Sequence, residues 1–117
     1  MTLKQWAIMD CPFPNEGPHP CVVISRDDIC HDQNRLTVNV LFCTSWRQGD
    51  IGRPIRWREV QLDQADGLSW RTYVRCDFIY VALKTELRQF NMRSAEVSLE
   101  RQRTIAAKIN EMFKFKP

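Results

Sequence analysis

The sequence predicts a mainly β domain: a small twisted barrel closed by one C-terminal α-helix. Three observations carry that expectation. Short apolar runs rich in β-branched residues recur through the first two-thirds of the chain, and long polar loops bearing proline or glycine separate them. The apolar period changes from two to about 3.6 only after Ser98. Strands do not alternate with helical patterns, so a parallel α/β fold is not expected.

The totals narrow the class. At 117 residues the chain reads as one domain, residues 1–117, with no internal repeat and no low-complexity segment. Apolar residues make up 44% and charged residues 26%, an ordinary globular balance. The formal charge of +3 permits an anionic partner without demanding one. No apolar run approaches the roughly 20 residues that span a bilayer, and Met1 to Gln5 lacks the apolar core of a signal peptide. A cytoplasmic setting with no membrane partner is the expectation. The five cysteines (Cys11, Cys21, Cys30, Cys43 and Cys76) are odd in number and form no Cys-x-x-Cys pair, so they read as buried, reduced thiols. The adjacent Cys30 and His31 fit known zinc spacings poorly, and neither a metal nor another cofactor is expected.

Taken in order, Leu3 to Met9 reads as a first strand. Asp10 to Pro20 contains Pro12, Pro14, Pro18 and Pro20, and reads as an irregular loop because proline removes a backbone donor. Cys21 to Ser25 is a strand buried on both faces, and Arg26 to Arg35 a turn or short helical connection. Leu36 to Cys43 is the next buried strand, followed by a loop from Trp46 to Pro54. Ile55 to Leu62 alternates, with Ile55, Trp57, Val60 and Leu62 inward and Arg56, Arg58 and Glu59 toward solvent. Asp63 to Gly67 is turn chemistry. Trp70 to Asp77 forms a strand that continues through Phe78 to Leu83 after a bend or bulge at Asp77. A helix is expected from Leu99 to Phe113, with Ser98 as N-cap and with Leu99, Ile105, Ala106, Ile109, Met112 and Phe113 on its apolar side. Lys114 to Pro117 reads as a loose tail.

Three features invite chemistry. Arg75 and Asp77 lie two residues apart on a strand, so they share one face at roughly 6.5–7 Å. That suits holding a phosphate while moving a proton, and it also describes an ordinary surface ion pair. Thr44 and Ser45 present hydroxyls where a buried strand exits, in a position that equally serves loop backbone groups. His19 sits between Pro18 and Pro20, which fix the backbone around it. Arg47, Arg53, Arg56 and Arg58, interleaved with Trp46 and Trp57, suit tracking a nucleic-acid backbone and stacking bases. A solvated strand face with its tryptophans in the core would read the same way.

The order of these features resembles the PemK/MazF toxin family. Gly17-Pro18-His19-Pro20-Cys21-Val22-Val23-Ile24 is similar to the family's opening loop and strand. Val40 to Ser45 resembles its strand ending in a Thr-Ser pair, and Val60-Gln61-Leu62-Asp63 followed by Gly67-Leu68 its next strand and turn. Val74-Arg75-Cys76-Asp77 matches the "V-x-C-D" strand end. Where the family carries arginine before the proline this chain has His19, and the PemK-type loop histidine has no counterpart.

The resemblance implies an SH3-like barrel with a terminal helix, acting as a homodimer. It implies a sequence-selective, metal-independent endoribonuclease that cuts single-stranded mRNA and inhibits growth, with a cognate antitoxin protein as partner. Arg75 and Asp77 match the PemK-type catalytic pair, and Thr44 the hydroxyl supporting the active-site phosphate. Asp77 would then take the 2′-hydroxyl proton and Arg75 clamp the phosphate. His19 would protonate the leaving oxygen, because arginine holds its own proton too firmly. Ser45, Trp46, Arg47, Arg53 and Arg56 would contact RNA. Two other readings stay open: a CcdB-like toxin that binds DNA gyrase without cutting RNA, and a family-like binding module whose site has decayed.

Overall fold

The computed structural model describes residues 2–89 and 94–114. Its first hairpin joins β1 (Ala7–Phe13) to β2 (Gly17–Val23), and α1 (Asp27–Cys30) leads on to β3 (Thr37–Ser45). Then come β4 (Glu59–Leu62), the long β5 (Thr72–Leu83), the two-residue strands β6 (Arg88–Gln89) and β7 (Ala95–Glu96), and finally α2 (Leu99–Met112). Among the described residues every strand pairing is antiparallel, in the order β4-β5-β3-β2-β1-β6, with β7 also on β1.

Each face of this sheet carries a core, and residue alternation divides them. One core gathers Met9, Cys11, Phe13, Cys21, Val23, Val38, Val40, Phe42 and Ala82. The other gathers Ile8, Val22, Leu41, Cys43, Val60, Leu62, Val74, Cys76 and Ile105. In the second core the β4 edge meets Ala95 and Val97 from the opposite edge, so the sheet curls into a half-barrel. Gly67 turns the chain there with φ +80°, and a Cβ at that position would stand 3.4 Å from Ala95. All five cysteines are buried free thiols. No helix among the described residues is long and apolar enough to cross a membrane.

Helix α2 is held at its start by charge. Asp66, whose side chain is fully buried, accepts from the Asp63 and Ser98 backbone N–H groups at 2.9 and 2.7 Å and from Arg101 at 2.6 Å. Arg101 also grips both oxygens of Asp63, at 2.7 and 2.9 Å. Ser98 is the N-cap as expected, but its hydroxyl makes no capping bond, and its N–H instead ties the helix to the β4–β5 turn.

The mainly β barrel with a C-terminal helix is what the structure has, but several segments differ from the sequence reading. Strand β1 starts at Ala7 rather than Leu3, because Trp6 adopts φ +73°. Asp10 to Pro20 is not a loop but most of the first hairpin, with Pro12 opposite Pro18 and Asp10 opposite Pro20. Hydrogen bonds in an antiparallel ladder are exchanged only by alternate pairs, so these prolines occupy the non-bonding positions. Their nitrogens face edges where β6 and β3 do not pair, since those ladders cover only Met9–Asp10 and Cys21–Val23. Strand β4 starts at Glu59 rather than Ile55, and Ile55 and Trp57 are exposed. Strand β5 starts at Thr72, leaving Trp70 exposed. On α2 only Ile105 is fully buried, and Leu99 and Phe113 face out. The expected tail lies outside the described residues except for Lys114.

Replacing Arg101 with alanine should leave the buried Asp66 carboxylate without its cation and cost about 3 kcal/mol, measured by urea unfolding. The Arg101 guanidinium and the Ala65 N–H hold the Asp63 carboxyl down at about 2. An unfolded aspartate titrates near 3.9, so this pairing stabilises fully above about pH 4 and is lost as pH falls toward 2. The Arg101→Ala protein should therefore lose less stability than wild type between those two values.

Candidate active site

Strand β5 does not run straight past β3. Leu41 opposes Ile79 and Cys43 opposes Val74, so the four residues Arg75 to Phe78 lie opposite Phe42 alone. A bulge of this kind re-aims side chains. Before it, Val74 and Cys76 enter the core under α2, which sends Tyr73, Arg75 and Asp77 to the other face. After it, Phe78, Tyr80 and Ala82 take that same face, as the Phe42–Phe78 stack at 4.9 Å and the burial of Ala82 beside Val40 require. Arg75, Asp77 and Phe78 therefore crowd onto one side.

Arg75 and Asp77 form a bidentate pair, Nε to Oδ1 at 2.9 Å and Nη2 to Oδ2 at 3.1 Å. The Arg75 hydrogen bonds hold the Asp77 carboxyl below the usual range, against the opposing effect of burial. The pairing raises Arg75 in turn. Both side chains keep about a third of their surface, so solvent reaches them. Arg58, the residue before β4, places Nε 3.9 Å from Asp77 Oδ2, and that Nε is buried without a hydrogen-bond partner. The sequence reading put Arg58 on a solvated face; instead it supplies a second guanidinium beside the carboxylate.

The register extends this wall. Glu59 lies directly across from Arg75, and Gln61, Tyr73 and Thr44 form the next rung across β4, β5 and β3. Thr44 thus shares the face of Arg75 and Asp77. Glu59 was expected to face solvent but is buried, because Arg53 folds back from its loop to pair with it and the Arg56 N–H donates at 3.0 Å. Burial pushes the Glu59 carboxyl up, but these partners outweigh it and hold it below its ordinary range. The Arg53 guanidinium also lies 4.1 Å over the Tyr73 ring. Arg53 is thereby tied into the wall and is not a free cation.

His19 lies on β2 opposite Cys11, on the same side of the sheet. Its ring centroid is 4.8 Å from that of Phe42, which stacks on Phe78, the neighbour of Asp77. Its Nε2 sits 3.1 Å from the Glu16 carbonyl, which only accepts, so Nε2 carries a proton and Nδ1 is left for other work. An aromatic row therefore links the imidazole to the Arg75/Asp77 pair without a direct hydrogen bond.

The expected RNA-contacting residues divide. Ser45 pairs with Thr72 at the end of β3, and the Trp46 N–H donates to the Arg71 carbonyl at 2.7 Å, continuing the register one step further. Arg47 is exposed at the start of a 3-10 turn that its N–H anchors to Asp50, and Arg56 is exposed in the loop before β4. The sequence reading missed Gln61, Trp70 and Arg71, which gather near Trp46 around an open cleft. The strand alternation assigned to Trp70–Asp77 carried the signal for Arg71, since it falls in phase with Tyr73 and Arg75.

No family model matches the chain, and no curated protein sequence does. Solved structures match its fold across nearly the whole length. A mycobacterial endoribonuclease in complex with its cognate antitoxin superposes with a TM-score of 0.71 at 16% identity, covering 99% of this chain and 97% of that one. The Mycobacterium tuberculosis toxin MazF-mt6 gives 0.68 at 18%, covering 95% and 99%. A MazE–MazF structure from Deinococcus radiodurans gives 0.69 at 15%, covering 99% of each. The chain has the MazF fold.

The Arg53→Ala protein should leave the buried Glu59 carboxylate without its cation, at a cost of about 3 kcal/mol in urea unfolding. Replacing both residues with apolar ones of similar size should recover much of that loss.

Proposed function

We propose that this protein is an endoribonuclease toxin of the MazF kind, cutting single-stranded RNA without a metal and with sequence preference, and silenced by an antitoxin protein. The observation that carries the reading is the solvent-reached Arg75/Asp77 pair, set by a bulge on the same wall as Thr44, in a fold shared with named endoribonucleases. RNA brings its own nucleophile, so the protein needs only to position, neutralise and move protons.

Substrate phosphate draws Arg75 away from Asp77, and Arg58 remains beside the carboxylate to keep it ionised. Asp77 takes the 2′-hydroxyl proton as the 2′-oxygen attacks phosphorus. Arg75, with the Thr44 hydroxyl, stabilises the charge that builds on the phosphoryl oxygens. His19 in its imidazolium form gives a proton from Nδ1 to the departing 5′-oxygen, while Nε2 stays anchored to Glu16. The products are a 2′,3′-cyclic phosphate and a 5′-hydroxyl. We take the working species to be a cytoplasmic homodimer.

Incubating the purified protein with a long single-stranded RNA in EDTA should give defined cuts ending in 2′,3′-cyclic phosphate. Arg75→Ala and Asp77→Ala should each slow cutting on the order of 10²- to 10³-fold. His19→Ala should cost on the order of 10²-fold and flatten the pH profile. An uncut RNA with the wild-type protein would overturn the nuclease reading in favour of a gyrase-directed or purely binding role, separated by a supercoiling assay. Unchanged turnover in His19→Ala would remove that residue from the reaction.

A further inference from the structure

An open cleft of about 530 Å³ lies beyond the Thr44–Tyr73–Gln61 rung, lined by Trp46, Gln61, Gln64, Ser69, Trp70 and Arg71. The register places it. Trp46 and Arg71 continue the β3–β5 ladder in phase with Thr44 and Tyr73, so the cleft opens on the same side as Arg75 and Asp77. Arg71 precedes Arg75 by four positions, roughly 13 Å along an extended strand. A single strand gripped at Arg75 reaches the cleft with the nucleotides flanking its scissile bond.

The chemistry of the lining suits a nucleobase. The Arg71 guanidinium lies 5.4 Å over the Trp46 ring, and Trp70 is 65% exposed, a large apolar surface open to solvent. Two indoles and a stacked guanidinium make a stacking platform for bases. Gln61 and Gln64 line the cleft, and the side-chain amide of each offers a donor and an acceptor to a base edge. Asp63 also borders the cleft, but Arg101 and the Ala65 N–H occupy its oxygens. That pairing also withdraws Arg101, leaving Arg71 as the cation at hand, so an acidic peptide would find little to bind.

We propose that this cleft is a base-binding subsite that holds one nucleotide beside the cut, stacked on Trp46 and Trp70 and read by Gln61 and Gln64, so that it sets part of the cleavage sequence. The inference rests on the RNA-cutting reading above and adds to it a named specificity site.

The test separates binding from cutting. Homopolymeric 2′-O-methyl RNA oligonucleotides of about eight nucleotides cannot be cut, because their 2′-oxygens are blocked. They should quench the tryptophan fluorescence of the wild type. Trp70→Ala should bind them about tenfold or more weakly, and Gln61→Leu should change the ranking of the four bases. On a long cleavable RNA, Gln61→Leu should shift the preference at one position next to the cut. Wild-type binding and an unchanged cleavage map in both variants would overturn the subsite and leave the nuclease reading standing. Quenching by an acidic peptide, with none by RNA, would overturn it in favour of a protein-docking cleft. Trp70-dependent binding of RNA that the wild type never cuts would overturn the nuclease and, with it, the cleft's part in a cleavage sequence, leaving a base-binding cleft alone.

Discussion

Between β3 and β5, the four residues Arg75 to Phe78 pass opposite the single residue Phe42. The candidate site depends on that slip in register. With strict alternation, Asp77 and Phe78 would point to opposite faces, and the carboxylate would be separated from the aromatic row that leads to His19. The bulge instead sets cation, carboxylate and Phe78 side by side. It is tolerated because β4 pairs with β5 on the far side from Arg75 to Thr72, and the Cys76 N–H finds the Arg58 carbonyl at 3.0 Å.

Two ionic clusters then fix the wall from either side. Arg53 on Glu59 and over Tyr73 anchors the long loop after β3 across the β4 rung. Arg101 on Asp63 and Asp66 fastens α2 to the turn after β4. Buried pairs add little net stability compared with apolar packing, but each is strict about geometry. They hold the short strand β4, which has only four residues of its own to pair, against the bulged part of β5.

Much of the architecture was legible because burial leaves a pattern. Cys21–Val23 and Val40–Cys43, within the two runs read as buried strands, are apolar on both faces because two cores flank the sheet there, and the bend near Asp77 is where the register slips. The terminal helix was legible from its period, but Leu99 and Phe113 follow that period without being covered, since α2 meets the sheet along a narrow seam around Ile105. Ile55 and Trp57 misled in the same way: alternation speaks of faces, not of whether anything packs against them. Glu59 could not be read as buried, because its partner Arg53 arrives from a loop whose path no local pattern encodes. Arg75 and Asp77 were legible as a same-face pair from spacing alone, whereas the nearness of Arg58 and the gathering of Gln61, Trp70 and Arg71 by Trp46 depend on cross-strand register.

The first hairpin has one more consequence. It projects beyond the strands that flank it, so its outer segments would ordinarily show rows of open N–H and C=O groups to any passing strand. Pro12, Pro18 and Pro20 fall at the positions where those donors would point outward. A strand from another chain could then accept no continuous ladder there. Substituting these prolines with β-branched residues would keep the hairpin's extended shape and turn its tip into a template for association.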